Sequence, residues 1–416
     1  MPGLGQSIYP MKSRILLVLF ILGGGWFLRA ADPAPGLALG DTPPPVQKAI
    51  RAQIGKGTIT AIDKVSDDDG TTYAVQGKNA AGVEKIFTLG DDGVLQSIEV
   101  TLDETPAAVQ KTIGEQMGKN QLAGIDKTID ERIVKYAVEL TTPDRQSRSL
   151  IIAPDGTLES REVGLEEVPA AVQAAIKAQL GSARLDSIDK TFDADEVSYE
   201  VMTITRSGQE RGFTVDALGN LQSLDLTLAE TPVLVQAAIK NQIGTGKLQS
   251  IDKTFSPEGT TFDVEMTTKE GAARHFSVSP AGQLVSVELA LDETSPAIQA
   301  AITSEAGPAR IESIDKNFEP DGITFDITTV GRGGREKDFT VSDNGTLLTR
   351  EVFLENIPPG AQKTIREQIG NGHIIRIDRS TERESGVLPF VVQGRKNGMP
   401  FNFSVGPGGR FLGMDN

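Results

Sequence analysis

The chain of 416 residues has no cysteine, which excludes disulfides, thiolate nucleophiles and cysteine-ligated metals. Histidine is nearly as scarce: His275 and His373 are the two present. Neither has another metal-ligating residue beside it at helical spacing, so both read as surface or structural residues. Aromatic residues make up 5%, and the one tryptophan, Trp26, falls in the leader. Positive charge is in deficit, with 41 Lys and Arg against 57 Asp and Glu and a net charge of −16. Phosphate binding needs clustered cations, so nucleic acid is not expected as a partner and anionic lipid is disfavoured. No G-x-S-x-G elbow and no H-E-x-x-H helix occurs. The expectation is a non-enzymatic protein with no cofactor and with no catalytic, cofactor-binding or metal-ligating residues.

Long apolar runs are missing too, except at the start. Residues 15–27 (ILLVLFILGGGWF) follow Lys12 and Arg14 and precede Leu28-Arg29-Ala30. Basic, apolar, then small is the order of a secretory signal, and the run is short for a membrane span. A signal peptide over 1–30 and a Pro-rich linker over 31–40 are expected, with Met11 as an alternative start. An uncleaved anchor is the alternative to cleavage; no cysteine follows the run, so a lipoprotein anchor is excluded. Cleavage after Ala30 removes Lys12, Arg14 and Arg29, taking the charge to −16 − 3 = −19. The expected location is periplasmic or secreted, with no membrane contact after cleavage.

What the chain has in abundance is repetition. The tripeptide Ile-Asp-Lys, or Ile-Asp-Arg at the end, places Asp63, Asp126, Asp189, Asp252, Asp315 and Asp378 at a spacing of 63. Gln47, Gln110, Gln173, Gln236, Gln299 and Gln362 keep that period, as do Gly55, Gly118, Gly181, Gly244, Gly307 and Gly370. Turn glycines follow at Gly93, Gly156, Gly219, Gly282 and Gly345, and the sixth period slips by one to Gly408-Gly409. Six repeats are expected at 41–103, 104–166, 167–229, 230–292, 293–355 and 356–416, the last divergent.

The third repeat shows the local logic. In 168–180, Val172, Ile176 and Leu180 recur at i, i+4, i+8, the apolar stripe of an α-helix. Proline suits its first turn, Thr42, Thr105 and Thr231 are placed to cap exposed amides in other repeats, and Gly181 stops it. Residues 185–192, 198–204, 212–216 and 221–228 alternate apolar and polar residues between turn signals, as strands do. The fold class is α+β: tandem αββββ repeats, each one helix on an antiparallel sheet whose other face is open to water, six in an array. A 63-residue unit buries a small core, so packed neighbours whose sheets join or stack are favoured over independent beads.

The helix PAAVQAAIKAQLG, followed by IDKTF, SYEV and GFTVDALGNLQS, resembles the PepSY-like, β-lactamase-inhibitor-like family, over all six repeats. The resemblance implies secreted or periplasmic modules of one helix on an antiparallel sheet, two of which can combine into one longer sheet. For related PepSY domains it implies restraint of peptidases or control of protein activity near the cell surface.

On a strand, Asp189 and Lys190 point to opposite faces. Ile188 and Phe192 share the lysine side and are expected on the helix; Asp189 faces the open side. The aspartates then either fix register and solubility, or form a charged row (Asp63, Asp126, Asp189, Asp252, Asp315, Asp378) that recognises a partner. The glutamines are expected to bond to a neighbouring strand or junction. Asp67-Asp68-Asp69-Gly70, Asp91-Asp92-Gly93 and residues 331–335 (GRGGR) read as turns, not as calcium or phosphate loops. Two functions fit: an exported module that binds a protein of the cell envelope, restraining a hydrolase or peptidase, or a spacer with no specific partner. The last repeat, with Pro389-Phe390 and Phe401-Asn402-Phe403, is expected to cap the array or to carry the contact.

Overall fold

The computed structural model describes residues 36–415 apart from 68–69, 131–132, 194–195, 258, 332–334, 382–387 and 397–398. The signal peptide expected over 1–30, with Met11 and Trp26, and linker residues 31–35 lie outside the described residues. Among those described are six α-helices of 11 residues: α1 (Pro44–Ile54), α2 (Ala107–Met117), α3 (Ala170–Leu180), α4 (Val233–Ile243), α5 (Pro296–Ala306) and α6 (Pro359–Ile369). A 3-10 turn precedes each helix and four strands follow it, an α+β organisation. The described residues form two compact units. One holds 36–168 with Ser187–Phe192, the other Pro169–Asp186 with 193–415.

The fourth period shows how the sequence builds its elements. Pro232 stands just outside α4, and Gly244 ends it with φ 56°, a left-handed value that costs glycine little. Val235 and Ile239 are fully buried and sit one turn apart. They pack on Ile251, Phe262, Val264, Phe276 and Val278 from strands Lys247–Ser256, Gly259–Thr267 and Ala273–Val278. Each buried side chain of this size contributes about 1.5–3 kcal/mol, which holds a helix too short to persist alone. The fourth strand, Leu284–Glu288, is entered through Gly282 at φ 76°. A Cβ there would lie 2.7 Å from the Leu234 carbonyl, so the turn rests directly on the first turn of α4. That contact explains the period of turn glycines, including the slip to Gly409 against Gly360.

Two expectations need correction. Thr42, Thr105 and Thr231 do not cap the helices. Their hydroxyls donate to the carbonyls of Leu39, Leu102 and Leu228, closing the 3-10 turn ahead of each helix. The strand expected over 221–228 stops at Asp225, because Leu226 donates its N–H to the Ile251 carbonyl and the chain enters the turn Leu228–Glu230. Glu230 clamps that turn, accepting from the Thr227 N–H (2.8 Å), the Thr227 hydroxyl (2.6 Å) and Arg211 (2.9 Å). The Thr227 hydroxyl bond and its backbone bond hold the Glu230 carboxyl down to about 2.

The glutamines bond as expected: the Nε2 of Gln47, Gln110, Gln236, Gln299 and Gln362 donates to the carbonyl five residues upstream, at the junction before its own helix. The expected turns at Asp67–Gly70 and 331–335 bridge strand ends, although 68–69 and 332–334 lie outside the described residues. At the third turn, the Asp92 carboxylate accepts the Val94 N–H.

Strands within a period pair antiparallel in sequence order in the first, second, fourth, fifth and sixth periods. Within each unit the fourth strand of one period also pairs with the first strand of the next. The register is constant: Glu99 opposes Asp126, Glu162 opposes Asp189, Asp225 opposes Asp252, Glu288 opposes Asp315 and Glu351 opposes Asp378.

Candidate functional site

Strand alternation places Ile251 in the core, 2% exposed, and turns Asp252 to the face away from α4. The lysine side differs from expectation. Lys190, Lys253 and Lys316 lie over Phe192, Phe255 and Phe318 at 5.1, 4.8 and 4.9 Å from the ring centres. The rings stay half-exposed (Phe318 is 36% exposed), so the isoleucine alone of the motif is a core residue. Each phenylalanine is covered by its own lysine, a pairing worth about 0.5–1 kcal/mol. Burial, then Arg161, lowers the pKa of Lys190.

The aspartates meet other carboxylates. Each junction sets an Asp directly across from an acidic residue of the preceding strand, a repulsive arrangement unless compensated. The fourth-strand carboxylate is partly satisfied by backbone: Asp225 accepts the Gly212 N–H at 2.6 Å, Glu288 the His275 N–H at 3.2 Å and Glu351 the Asp338 N–H at 3.1 Å. The cation differs from junction to junction.

Between the fourth and fifth periods His275 bridges the pair, with Nε2 2.8 Å from Asp315 and Nδ1 3.0 Å from Glu288. Burial would lower its pKa, but the hydrogen bonds and charges of Asp315 and Glu288 win and raise it to about 10. Beside it, Asp326 accepts from Asn317 and Thr340, both at 2.7 Å, and Asp263 accepts from Ser277 at 2.5 Å. Between the fifth and sixth periods Arg376 does the work: Nε lies 2.8 Å from both oxygens of Asp378, and an Nη donates to Asp338 at 2.8 Å. Asp378 is only 8% exposed; burial raises its pKa and Arg376 opposes the rise. Between the second and third periods Arg148 pairs with Glu162 at 3.1 Å. The first junction has Ile86 and Gly124 where His275 and Arg376 stand elsewhere. There burial, reinforced by Glu99 and Glu139, lifts Asp126 to about 6.

The six aspartates therefore occupy equivalent positions with unequal exposure. Asp63 is exposed, the next four are half-buried and Asp378 is buried. Sequence reading named the aspartates but missed their partners, because Glu288 and His275 lie 27 and 40 residues from Asp315. The signal was present as the acidic end of each fourth strand. A histidine held protonated by two carboxylates is no general base near neutrality, so His275 acts as a structural cation. His373 opposes Arg395 at the start of its strand. Among the described residues no group of three or more His, Asp or Glu is placed to hold a metal ion, and no helix is long and apolar enough to cross a membrane.

No protein-family model matches the chain, and no curated protein matches it. Solved structures do. A BLIP-like protein from Bacteroides fragilis is 21% identical, with a TM-score of 0.23, covering 29% of this chain and 84% of its own. A DUF2874-family protein from Bacteroides uniformis is 15% identical, TM-score 0.23, covering 28% and 86%. A DUF2874-family protein described as periplasmic, from Bacteroides vulgatus, is 17% identical, TM-score 0.22, covering 31% and 97%. A likeness at this level fixes neither function nor the arrangement of repeats. The solved neighbours are BLIP-like and DUF2874 periplasmic proteins, the kind of protein to which the resemblance read from the sequence points.

Proposed function

We propose that the chain is an exported, non-enzymatic protein-binding module of the cell envelope, periplasmic or secreted after loss of 1–30. Its six repeats, at 41–103, 104–166, 167–229, 230–292, 293–355 and 356–416, would restrain an exported hydrolase or peptidase. One observation supports this most: a carboxylate pair of constant register recurs at five junctions on the face away from the helices. Charges fixed by strand geometry favour selectivity and fast association over raw affinity.

A spacer reading is favoured by a different observation. His275 and Arg376 already consume the carboxylates of Asp315 and Asp378, as scaffolding would. The two readings separate in one experiment. Residues 31–416 are immobilised and exposed to envelope extract beside an acidic control protein of similar charge, and beside a variant with Asp63, Asp126, Asp189, Asp252 and Asp315 changed to Asn. One exported protein retained stoichiometrically by the parent and lost by the variant supports recognition by the row. Equal retention by both sinks the row but keeps a binding module. Retention no greater than on the control leaves the spacer.

A further inference from the structure

One ion pair joins residues three periods apart. An Nη of Arg395, near the end of strand Phe390–Lys396 in the sixth period, lies 2.9 Å from the Glu196 carboxylate, which opens strand Glu196–Ile204 in the third. Both side chains lie on the face away from the helices. Tyr199 and Val201 are the buried side of one strand, Phe390 and Val392 that of the other, and Glu196 and Arg395 alternate with them. The open faces of strands Glu196–Ile204 and Phe390–Lys396 therefore meet at this pair, inside one unit. In the sixth period Asp378 and Ser404, which also point away from the helices, are at most 8% exposed.

The pair departs from the repeat at its acidic end. Glu196 stands where the other first five periods carry Gly70, Ile133, Gly259 and Gly322. Arg395, opposite His373, stands where Lys78, Thr141, Thr267 and Val330 close the equivalent hairpins. Of the five positions equivalent to Glu196 the third alone carries a carboxylate, and it is the one that meets Arg395. The arginine side chain is 15% exposed and its Nε has no partner, whereas the glutamate is 48% exposed. The arginine is the anchored half, and the glutamate the half that water and salt reach.

We propose that Arg395 and Glu196 form a latch that holds the open faces of strands Glu196–Ile204 and Phe390–Lys396 against each other and releases as ionic strength rises. A single pair with one exposed partner is weak, about fivefold in an equilibrium at most, and is screened within about 10 Å at 0.1 M salt. The inference does not depend on the function proposed above.

The absence of cysteine makes the test clean. Spin labels are attached at Ser198→Cys and Gln393→Cys, which share the strands and face of the pair and leave it intact, and their separation is measured by pulsed electron resonance in the full chain. The latch predicts one narrow, short separation at low salt that lengthens and broadens at high salt. Glu196→Arg, at the exposed end where folding is least at risk, reproduces the broadening at low salt, and adding Arg395→Glu to it restores the narrow peak. A separation unchanged by Glu196→Arg, or one that the double exchange fails to restore while circular dichroism shows the fold intact, overturns the proposal.

Discussion

Asp126 and His275 solve one problem in opposite ways. Both sit where carboxylates face each other across a strand pair; one is left to its own protonation, the other is a cation. For Asp126 the folded pKa of about 6 exceeds the ordinary 3.8, so the folded chain binds the proton more tightly. Its contribution is intact below pH 3.8 and is lost as pH rises towards 6. Asp126→Asn is therefore expected to raise stability at pH 7 by on the order of 1–2 kcal/mol and to leave it unchanged near pH 3.5, read from urea midpoints at both pH values. For His275 the sign reverses: its folded pKa of about 10 lies above 6.5, so its stabilisation is complete below pH 6.5 and fades as pH rises through 10. His275→Ala strands Glu288 against Asp315 and is expected to cost about 1–3 kcal/mol at pH 7. The loss should shrink above pH 10; a loss independent of pH would point to packing instead of charge.

At the scale of elements, the helix and its turn fix each other. Gly282→Ala meets both a left-handed backbone and the Leu234 carbonyl at 2.7 Å, whereas Gly271→Ala at φ 88° meets no atom within 4 Å. The first is expected to cost about 2–4 kcal/mol and the second about 1 kcal/mol. Hydrogen exchange should show α4 loosened by the first change alone; equal effects would remove the turn-on-helix contact as the cause. Sequence periodicity located all six helices and the strands of the third repeat to within three residues. It missed the 3-10 turns, because in four of them closure depends on a glutamate carboxylate reaching back to a backbone amide, which apolar spacing does not encode.

At the scale of the whole molecule, joined strand edges make neighbouring periods share hydrogen bonds, so stability is that of an array coupled at its junctions. Arg376 supplies the only side-chain cation that Asp378 and Asp338 share among the described contacts, and burial at Asp378 sharpens the dependence. Arg376→Met is expected to uncouple the sixth period, splitting a denaturant transition into two, with the earlier one carrying the fluorescence of labels placed after residue 373. A single transition shifted as a whole would show that the periods unfold together regardless of that junction.

The sequence by itself determined the period of 63, the helix stripe, the strand alternation and the side of the sheet each aspartate takes, because these follow from local spacing and backbone geometry. Tertiary structure decided what each aspartate meets. Register across a junction sets Glu288 beside Asp315 and brings His275 or Arg376 to some pairs and not to others. It also decided that Glu196 reaches Arg395, a contact 199 residues long that no local pattern specifies. Charges interact through space, and only the folded chain says which of them are near.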